Sequence, residues 1–193
     1  MIEPVDALEL LRTRYPASKL GGPPPSGTAV QAMLESANRA PDHGRLQPWR
    51  LILIKGNARQ RFGEVLAEAL TQRTPGADDH ARARERDKAL RAPLIIVVAT
   101  RCDRSARVPL IEQILSAGAA AHSIMLAAFA QGLGAMWRTG DAAYDETVKG
   151  ALGFESDDAI VGFIYVGTEL DTPAPRVHRT GPASVQYWGG GAS

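Results

Sequence analysis

Apolar residues recur along this chain with two different spacings, which divide it into helices and strands. Apolar side chains at every third or fourth position predict helices, whereas short unbroken runs of β-branched and apolar residues predict buried strands. The predicted helices cover residues 6–14, 28–39, 58–72, 111–132 and 145–152. The predicted strands cover residues 50–54, 94–100, 135–138 and 159–167. The tail from residue 172 onward is rich in proline and glycine, and we expect it to be irregular.

The first two helices carry recognisable start signals. Asp6 with Glu9, and Thr28 with Gln31, match the capping-box spacing, in which a side chain at the helix start accepts a hydrogen bond from the backbone three residues later. The segment between these helices, residues 21–27, contains three prolines and three glycines and is therefore predicted to be a loop.

A second irregular segment covers residues 75–88, which are mostly polar and charged. We expect a mobile loop that leads into a helix ending near Arg91. Two interpretations of this segment remain: a lid over a substrate, or solvated surface, of which the second is the more common for a run of charges.

About four strands among five or six helices predict one domain covering residues 1–193, an α/β (α+β) sandwich with helices on both faces of a small sheet. Residues 114–130 are almost entirely apolar, yet they are at the short limit for a membrane span and lack aromatic anchors at their ends. We therefore expect a buried core helix and no membrane. The first six residues lack the pattern of a signal peptide.

Composition and charge narrow the class of protein further. The chain has 193 residues, of which 45% are hydrophobic and 22% charged, as in ordinary globular proteins. Its net charge of +1 offers no field that would attract nucleic acid or an anionic membrane. The single cysteine, Cys102, fits a cytoplasmic location, and we expect it to be a packing residue rather than a nucleophile.

Motifs for hydrolysis, phosphate loops and metal binding are missing from the sequence. The nearest approach to a dinucleotide-binding glycine pattern, at residues 132–134, follows a predicted helix and precedes a strand, which is the reverse of the Rossmann order. If the chain is an enzyme, we expect a cofactor rather than a metal or a catalytic side chain to carry the chemistry.

The segment from Arg39 to Trp49 is the strongest candidate for ligand binding. It joins a helix to a strand, and Pro41 and Pro48 restrict its backbone on both sides of a polar stretch. Two guanidinium groups, an imidazole and an amide lie within it. These features indicate a stiff, ligand-facing loop, although a surface loop with incidental polar residues is the alternative that the residues alone leave open.

Five segments, taken in order, resemble the nitroreductase family, and within it the small YdjA-like branch of NAD(P)H nitroreductases. The motif Arg-Ala-Pro-Asp-His at residues 39–43, followed by Gln-Pro-Trp at 47–49, resembles the family's second flavin-contacting segment. The other four segments are the N-terminal helix with its arginine at 6–14, the central helix at 116–134, the turn Trp-Arg-Thr-Gly at 137–140 and the last core strand at 161–167.

This resemblance implies a mostly antiparallel sheet flanked by helices, FMN as the cofactor, NAD(P)H as the reductant, and a homodimer with its flavin sites at the subunit interface. The implied FMN-binding residues are Arg14, Tyr15, Pro16, Arg39, His43, Gln47, Trp137, Arg138 and Thr139. The implied NAD(P)H segment is Ala127, Ala128, Phe129, Ala130, Gln131 and Gly132, for which the end of a buried helix is an equal interpretation.

One departure from the family pattern affects the phosphate end of the flavin. The relatives' first motif runs Arg-Arg-Ser, whereas this chain has Arg14-Tyr15-Pro16, which removes a positive charge, a hydroxyl and a backbone N–H. Tyr15 can stack or hydrogen-bond instead. Candidates for the missing charge are Arg12, Lys19, Arg176 and Arg179.

The resemblance therefore implies an FMN-dependent oxidoreductase that reduces small acceptors, such as nitroaromatics or quinones, in two exchange steps. Catalysis would need no acid–base triad, because the flavin N5 carries the hydride. Two alternatives remain at this point. One is another flavin reaction on the same fold, such as dehalogenation, enone reduction or flavin breakdown; the other is a flavin-binding or sensing module without turnover.

Overall fold

An antiparallel sheet forms the centre of the molecule. The computed structural model describes residues 6–171 together with residues 186, 188 and 189. Within them the strands are β1 (Leu20–Gly21), β2 (Trp49–Lys55), β3 (Leu94–Thr100), β4 (Gly134–Arg138) and β5 (Ala159–Glu169). The helices are α1 (Ala7–Thr13), α2 (Gly27–Ala37), α3 (Ala58–Arg73), α4 (Asp79–Lys88), α5 (Leu110–Ala130) and α6 (Glu146–Ala151), with short 3₁₀ turns at His43–Arg45 and Asp141–Ala143.

The last strand, β5, lies in the middle of the sheet. Its residue Phe163 pairs with Val97 of β3 on one edge and with Arg138 of β4 on the other. β2 continues the sheet beyond β3, and the two-residue β1 pairs with the end of β5. Because every pairing is antiparallel, the predicted fold class, a small antiparallel sheet flanked by helices, is confirmed.

Helices cover both faces of this sheet. Alternate residues of β3 point to opposite faces, so Ile96 and Val98 pack with α2 and α5, while Ile95 and Val97 pack with α3 and α6. All seven residues of β3 are buried. This burial on both sides explains why the strand has an unbroken apolar sequence.

The long helix α5 is the core helix that the sequence predicts. Its length and composition would suit a membrane span, the one such helix in the described part of the chain. Small side chains at Ala117, Ala120 and Ala121, together with Ile124, are fully buried against the sheet. At its N-terminal end, the buried amide of Gln113 hydrogen-bonds backbone groups of Asp103 and Val108, which fixes the loop after β3.

The structure confirms the predicted N-terminal cap of α1 but not that of α2. The Asp6 carboxylate accepts hydrogen bonds from the N–H groups of Leu8 and Glu9, as expected. The predicted Thr28 cap is wrong: Ser26 caps α2 by accepting a hydrogen bond from the Ala29 N–H at 3.1 Å. Both residues offer a hydroxyl, and α2 begins one position after the first of them.

The charged segment at residues 75–88 is mostly helix rather than loop. The carboxylate of Asp78 caps α4, and α4 packs closely on α3, where a Cβ at Gly63 would lie 2.9 Å from the carbonyl oxygen of Arg86. Arg86 also hydrogen-bonds Glu64 of α3. The predicted irregular tail beyond residue 171 lies almost wholly outside the described residues.

Asp145 connects α6 to α3 through a buried charge. Its carboxylate accepts hydrogen bonds from the backbone N–H groups of Thr147 and Val148 and from the guanidinium of Arg73. Burial acts to raise the pKa of Asp145, but the Arg73 hydrogen bond and the two backbone donors together lower it below its ordinary value. The charged form therefore contributes to the stability of the fold.

Replacing Asp145 with alanine should lower the free energy of unfolding by about 3 kcal/mol at neutral pH, since it removes a helix cap and leaves Arg73 without its buried partner. The difference from the unmodified chain should persist above pH ~4 and shrink as the pH falls through the lowered pKa of Asp145. Urea unfolding at several pH values measures this. The control Asp141→Ala, whose exposed carboxylate lies 3.9 Å from Arg73, should cost under ~1 kcal/mol; equal losses for both variants would contradict the account.

Candidate functional site

A groove opens along β4 and β5, beside the C-terminal end of α4. Two adjoining cavities of about 380 and 330 Å³ form it, and they share Arg91, Arg138 and Tyr165. Aromatic and aliphatic side chains line the larger cavity: Phe62, Leu66 and Phe163. The smaller cavity extends to the backbone segment at residues 17–20, directly after the predicted Arg14–Pro16 motif.

Positive charge dominates the groove. Lys88 lines the larger cavity and pairs with Glu85 one helical turn earlier. Arg91 and Arg138 form no ion pair with any residue that the structure describes. Two guanidinium groups without an acidic partner, beside apolar walls, suit a ligand that is both aromatic and anionic.

Trp137 stands at the end of β4 because β5 leaves room for it. The indole Nε1 donates to the carbonyl oxygen of Val161 at 3.2 Å. Gly162 lies directly beneath, and a Cβ at that position would fall on the indole nitrogen. After Trp137, Arg138 and Thr139 lead into a turn at the mouth of the groove. The three predicted residues of this turn are therefore together in one cavity wall.

The Arg14–Pro16 segment lies at the opposite end of β4. The Ala17 N–H donates to the carbonyl oxygen of Ala135 at 3.0 Å, which attaches the segment to the start of the strand. The Tyr15 hydroxyl donates to Glu169 at 2.6 Å, and its ring meets Phe129 edge-on at 5.6 Å. The Nη1 atom of Arg14 is buried without a hydrogen-bond partner among the described residues, an unusual condition for a charged donor.

Residues 127–132 form the last turn of α5 and its cap. The Gln131 amide donates to the carbonyl oxygens of Ala127 and, at 3.4 Å, Ala29, while the N–H groups of Gly132 and Leu133 return to the helix. The Gln131 amide is thus already used by the backbone. Phe129 connects this segment to another predicted site residue, through its contact with Tyr15.

The loop at residues 39–49 is rigid, yet its predicted ligand groups are exposed. The Asp42 carboxylate accepts hydrogen bonds from the N–H groups of Leu46 and Gln47. Arg45 and Gln47 have φ values of +56° and +46°, a strained region for residues other than glycine that clusters at functional sites. Trp49 is buried in the core, as predicted.

Within one chain this loop lies far from the Arg14 segment. His43 contacts Glu112 near the start of α5, at 2.5 Å, whereas Tyr15 contacts Phe129 near its end. Seventeen residues of helix separate these contacts, which at 1.5 Å per residue is about 26 Å. Trp137–Thr139 therefore line the groove, the Arg14–Pro16 segment only precedes its lining residues 17–20, and Arg39, His43 and Gln47 lie outside it.

Comparison with known proteins identifies the family of this chain. The family model "Nitroreductase family" matches residues 11–168. The chain belongs to the nitroreductase family. It is 43% identical over 164 residues to YdjA of Escherichia coli (strain K12), which carries the name NAD(P)H nitroreductase as a provisional assignment; the match covers 85% of this chain and 88% of that protein. The predicted resemblance is confirmed, and the chain is an enzyme of this family.

Solved structures share the nitroreductase fold. A nitroreductase-like protein from Bacillus cereus superposes with a TM-score of 0.77 at 20% identity, covering 92% of each chain. A nitroreductase from Bacteroides fragilis, whose structure contains bound FMN, superposes with a TM-score of 0.71 at 17% identity, covering 93% of this chain and 98% of the other. At these identities the comparison supports the fold.

Sequence reasoning missed three groove residues: Lys88, Arg91 and Tyr165. Lys88 and Arg91 belong to a stretch that reads as solvated surface, so nothing in their spacing marks them. A signal for Tyr165 did exist, because strand alternation places it on the same face of β5 as Phe163, two residues earlier. A polar aromatic residue in an otherwise apolar strand is unusual enough to be singled out.

Replacing Gly162 with alanine should displace Trp137 and deform the nitroreductase turn, since the new methyl group would occupy the position of the indole nitrogen. We expect a loss of about 1–3 kcal/mol in the free energy of unfolding, measured by urea denaturation. The control Gly150→Ala, at an exposed position of α6 with no atom within 4 Å of the new Cβ, should be neutral or stabilising. Full stability of the Gly162 variant would refute the packing described.

Proposed function

We propose that this chain is an FMN-dependent oxidoreductase that uses NAD(P)H to reduce nitroaromatics, quinones or similar small acceptors, with the two substrates acting in turn. The observation that carries the proposal is the groove, in which unpaired guanidinium groups adjoin aromatic walls beside the Trp137–Thr139 turn. The name of the E. coli relative supports NAD(P)H as the reductant, and the B. fragilis structure supports FMN.

The residues present fit FMN. Its phosphate is a dianion, and the buried Nη1 of Arg14 lacks a partner within the described chain. Buried donors in that condition are costly unless a ligand or water satisfies them. Arg91 and Arg138 supply further charge-assisted donors. The apolar walls of the larger cavity suit the flat faces of an aromatic ring system.

When bound, FMN supplies hydride transfer between NAD(P)H and the acceptor. The chain's own residues hold and shape the site. Trp137, fixed by Val161 and Gly162, sets the position of the turn whose backbone borders the cavity. Arg138, which lines the cavity, would stabilise the negative charge that a bound flavin gains on reduction. Tyr15 is oriented by its hydrogen bond to Glu169 and by its contact with Phe129, and so fixes the segment that follows Arg14.

We further propose a homodimer in which a second copy completes each site. Leu8 and Leu11 of α1 and Ile111 and Leu115 of α5 are 56–63% exposed, and α1 packs along α5. A seven-residue helix with no buried residue is not stable alone in water, and exposed large apolar side chains on two packed helices are typical of a contact surface. A partner also accounts for the exposed loop at 39–49, which one chain holds about 26 Å from its own Tyr15.

The proposed dimer works in the cytoplasm, as the lone Cys102 fits a compartment where thiols stay reduced. Within this proposal Cys102 has no catalytic role. Burial raises the pKa of its thiol, and the neighbouring Asp158 carboxylate raises it further. Such a thiol is a poor nucleophile at neutral pH.

The purified protein should absorb in the blue because of bound FMN, or gain that absorbance when FMN is added. Under anaerobic conditions NADH or NADPH should bleach the band, and a nitroaromatic or quinone added afterwards should restore it. Stopped-flow absorbance measures both halves of the cycle. A flavin that binds but is never reduced would support a sensing module instead, and a protein that holds no FMN after reconstitution would overturn the whole proposal.

Leu115→Glu should convert the dimer to a monomer, since it places a charge within an apolar contact surface, and FMN affinity should fall with it. Sedimentation velocity measures the oligomeric state and flavin fluorescence the binding. The matched control is Tyr144→Glu, at a position that is 76% exposed and belongs to neither α1 nor α5. A wild-type protein that binds FMN as a monomer would contradict the proposed interface.

A further inference from the structure

The hydroxyl of Tyr165 has no partner within the described structure. Its side chain lies in the floor of the groove, the residue is only 5% exposed, and it borders both cavities. None of the hydrogen bonds among residues 6–171 includes this hydroxyl, and it is not sealed from the groove. A phenylalanine would pack in the core equally well, so the hydroxyl has a use outside the fold.

Two guanidinium groups approach Tyr165 from opposite sides. On β4, Met136 pairs directly with Tyr165, and Arg138 lies two residues further on the same face of the sheet, a diagonal position within reach of a long side chain. Arg91 comes from the other direction, three residues before β3. Both arginines line both cavities next to Tyr165.

The charges around Tyr165 are mostly positive. Burial raises the pKa of its hydroxyl, and the charges of Arg91 and Arg138 act against that rise, while Glu85 adds to it. Glu85 is paired with Lys88. The other carboxylate of the cavity wall, Asp141, lies 3.9 Å from Arg73. Neither acid is therefore paired with Arg91 or Arg138, and the hydroxyl stays protonated as a hydrogen-bond donor near neutral pH.

We propose that Tyr165, Arg91 and Arg138 form an oxyanion subsite that binds a negatively charged oxygen of the flavin. The inference rests on the proposed function and names the part of the groove that carries the cofactor's charge. One neutral and two cationic donors around a single point suit either a phosphate oxygen or the pyrimidine carbonyl oxygen that gains charge on reduction. If the oxygen belongs to the phosphate, the subsite replaces charge that the Tyr15-Pro16 motif lacks.

The test uses Tyr165→Phe, which keeps the ring, and Arg91→Ala. The control is Arg84→Ala, which removes the same charge from an exposed position of α4 outside the groove. Flavin fluorescence quenching by the flavin-free protein gives the Kd of FMN and of riboflavin, which has no phosphate. We expect each groove variant to weaken FMN binding by about 10-fold or more, and the control to leave it unchanged.

The two sources of the oxygen give different results. If the subsite holds the phosphate, riboflavin binding will be the same in all variants. If it holds the pyrimidine edge, riboflavin binding will weaken in parallel, and the reduction potential of bound FMN will fall in both groove variants. Unchanged FMN affinity in Tyr165→Phe and Arg91→Ala overturns the subsite while the proposed function stands. Arg91→Lys, which retains the charge, should recover part of the affinity.

Failure of the proposed function would have a different signature. A wild-type protein that binds neither flavin overturns the FMN proposal, and inorganic phosphate then tests the subsite alone. Thermal stabilisation of the flavin-free wild type by phosphate, reduced in Arg91→Ala but retained in Arg84→Ala, would support an oxyanion subsite. Equal stabilisation of all variants, or none of the wild type, would overturn it. Circular dichroism melting of each variant without ligand controls for folding.

Discussion

The position of β5 between β3 and β4 is the constraint on which the rest of this structure depends. Hydrogen bonds on both edges fix the register of Phe163 and Tyr165 against both neighbours. That register places Gly162 beneath Trp137 and Met136 opposite Tyr165. A shift of one residue would exchange the two faces of the strand. The groove is therefore a direct consequence of how the central strand is paired.

Much of the fold could be predicted because its signals are local. The strand β3 was predicted with its observed bounds, since burial on both faces requires an unbroken apolar sequence. Local sequence signals do not predict an element that is stabilised by tertiary contacts. The helix α4 has no buried residue, and its polar sequence resembles surface loop, yet it is held by Gly63 and by the Arg86–Glu64 contact. The two residues of β1 are too few to show any period.

The candidate site, like the fold, could be predicted only in part: motifs mark some of its segments, and the structure alone shows how they are arranged. The family motifs implied segments for flavin contact, but the sequence could not show that they fall into two distant groups. That separation follows from the length of α5, which holds His43 near one end and Tyr15 near the other. Arg91 and Tyr165 belong to no motif. They join the site only because sheet pairing and the α4–β3 connection bring them to one groove.

The central strand is also the last one in the chain, and this order has a consequence for biosynthesis. β2, β3 and β4 all leave the ribosome before β5, yet among the described strands β4 pairs with β5 alone. Tyr15 can form its hydrogen bond with Glu169 only after the 154 residues that follow it have been synthesised. Contacts of such long range close late in folding. The pocket for a cofactor therefore cannot assemble on a partly made chain, and loading of the flavin follows synthesis instead of guiding it.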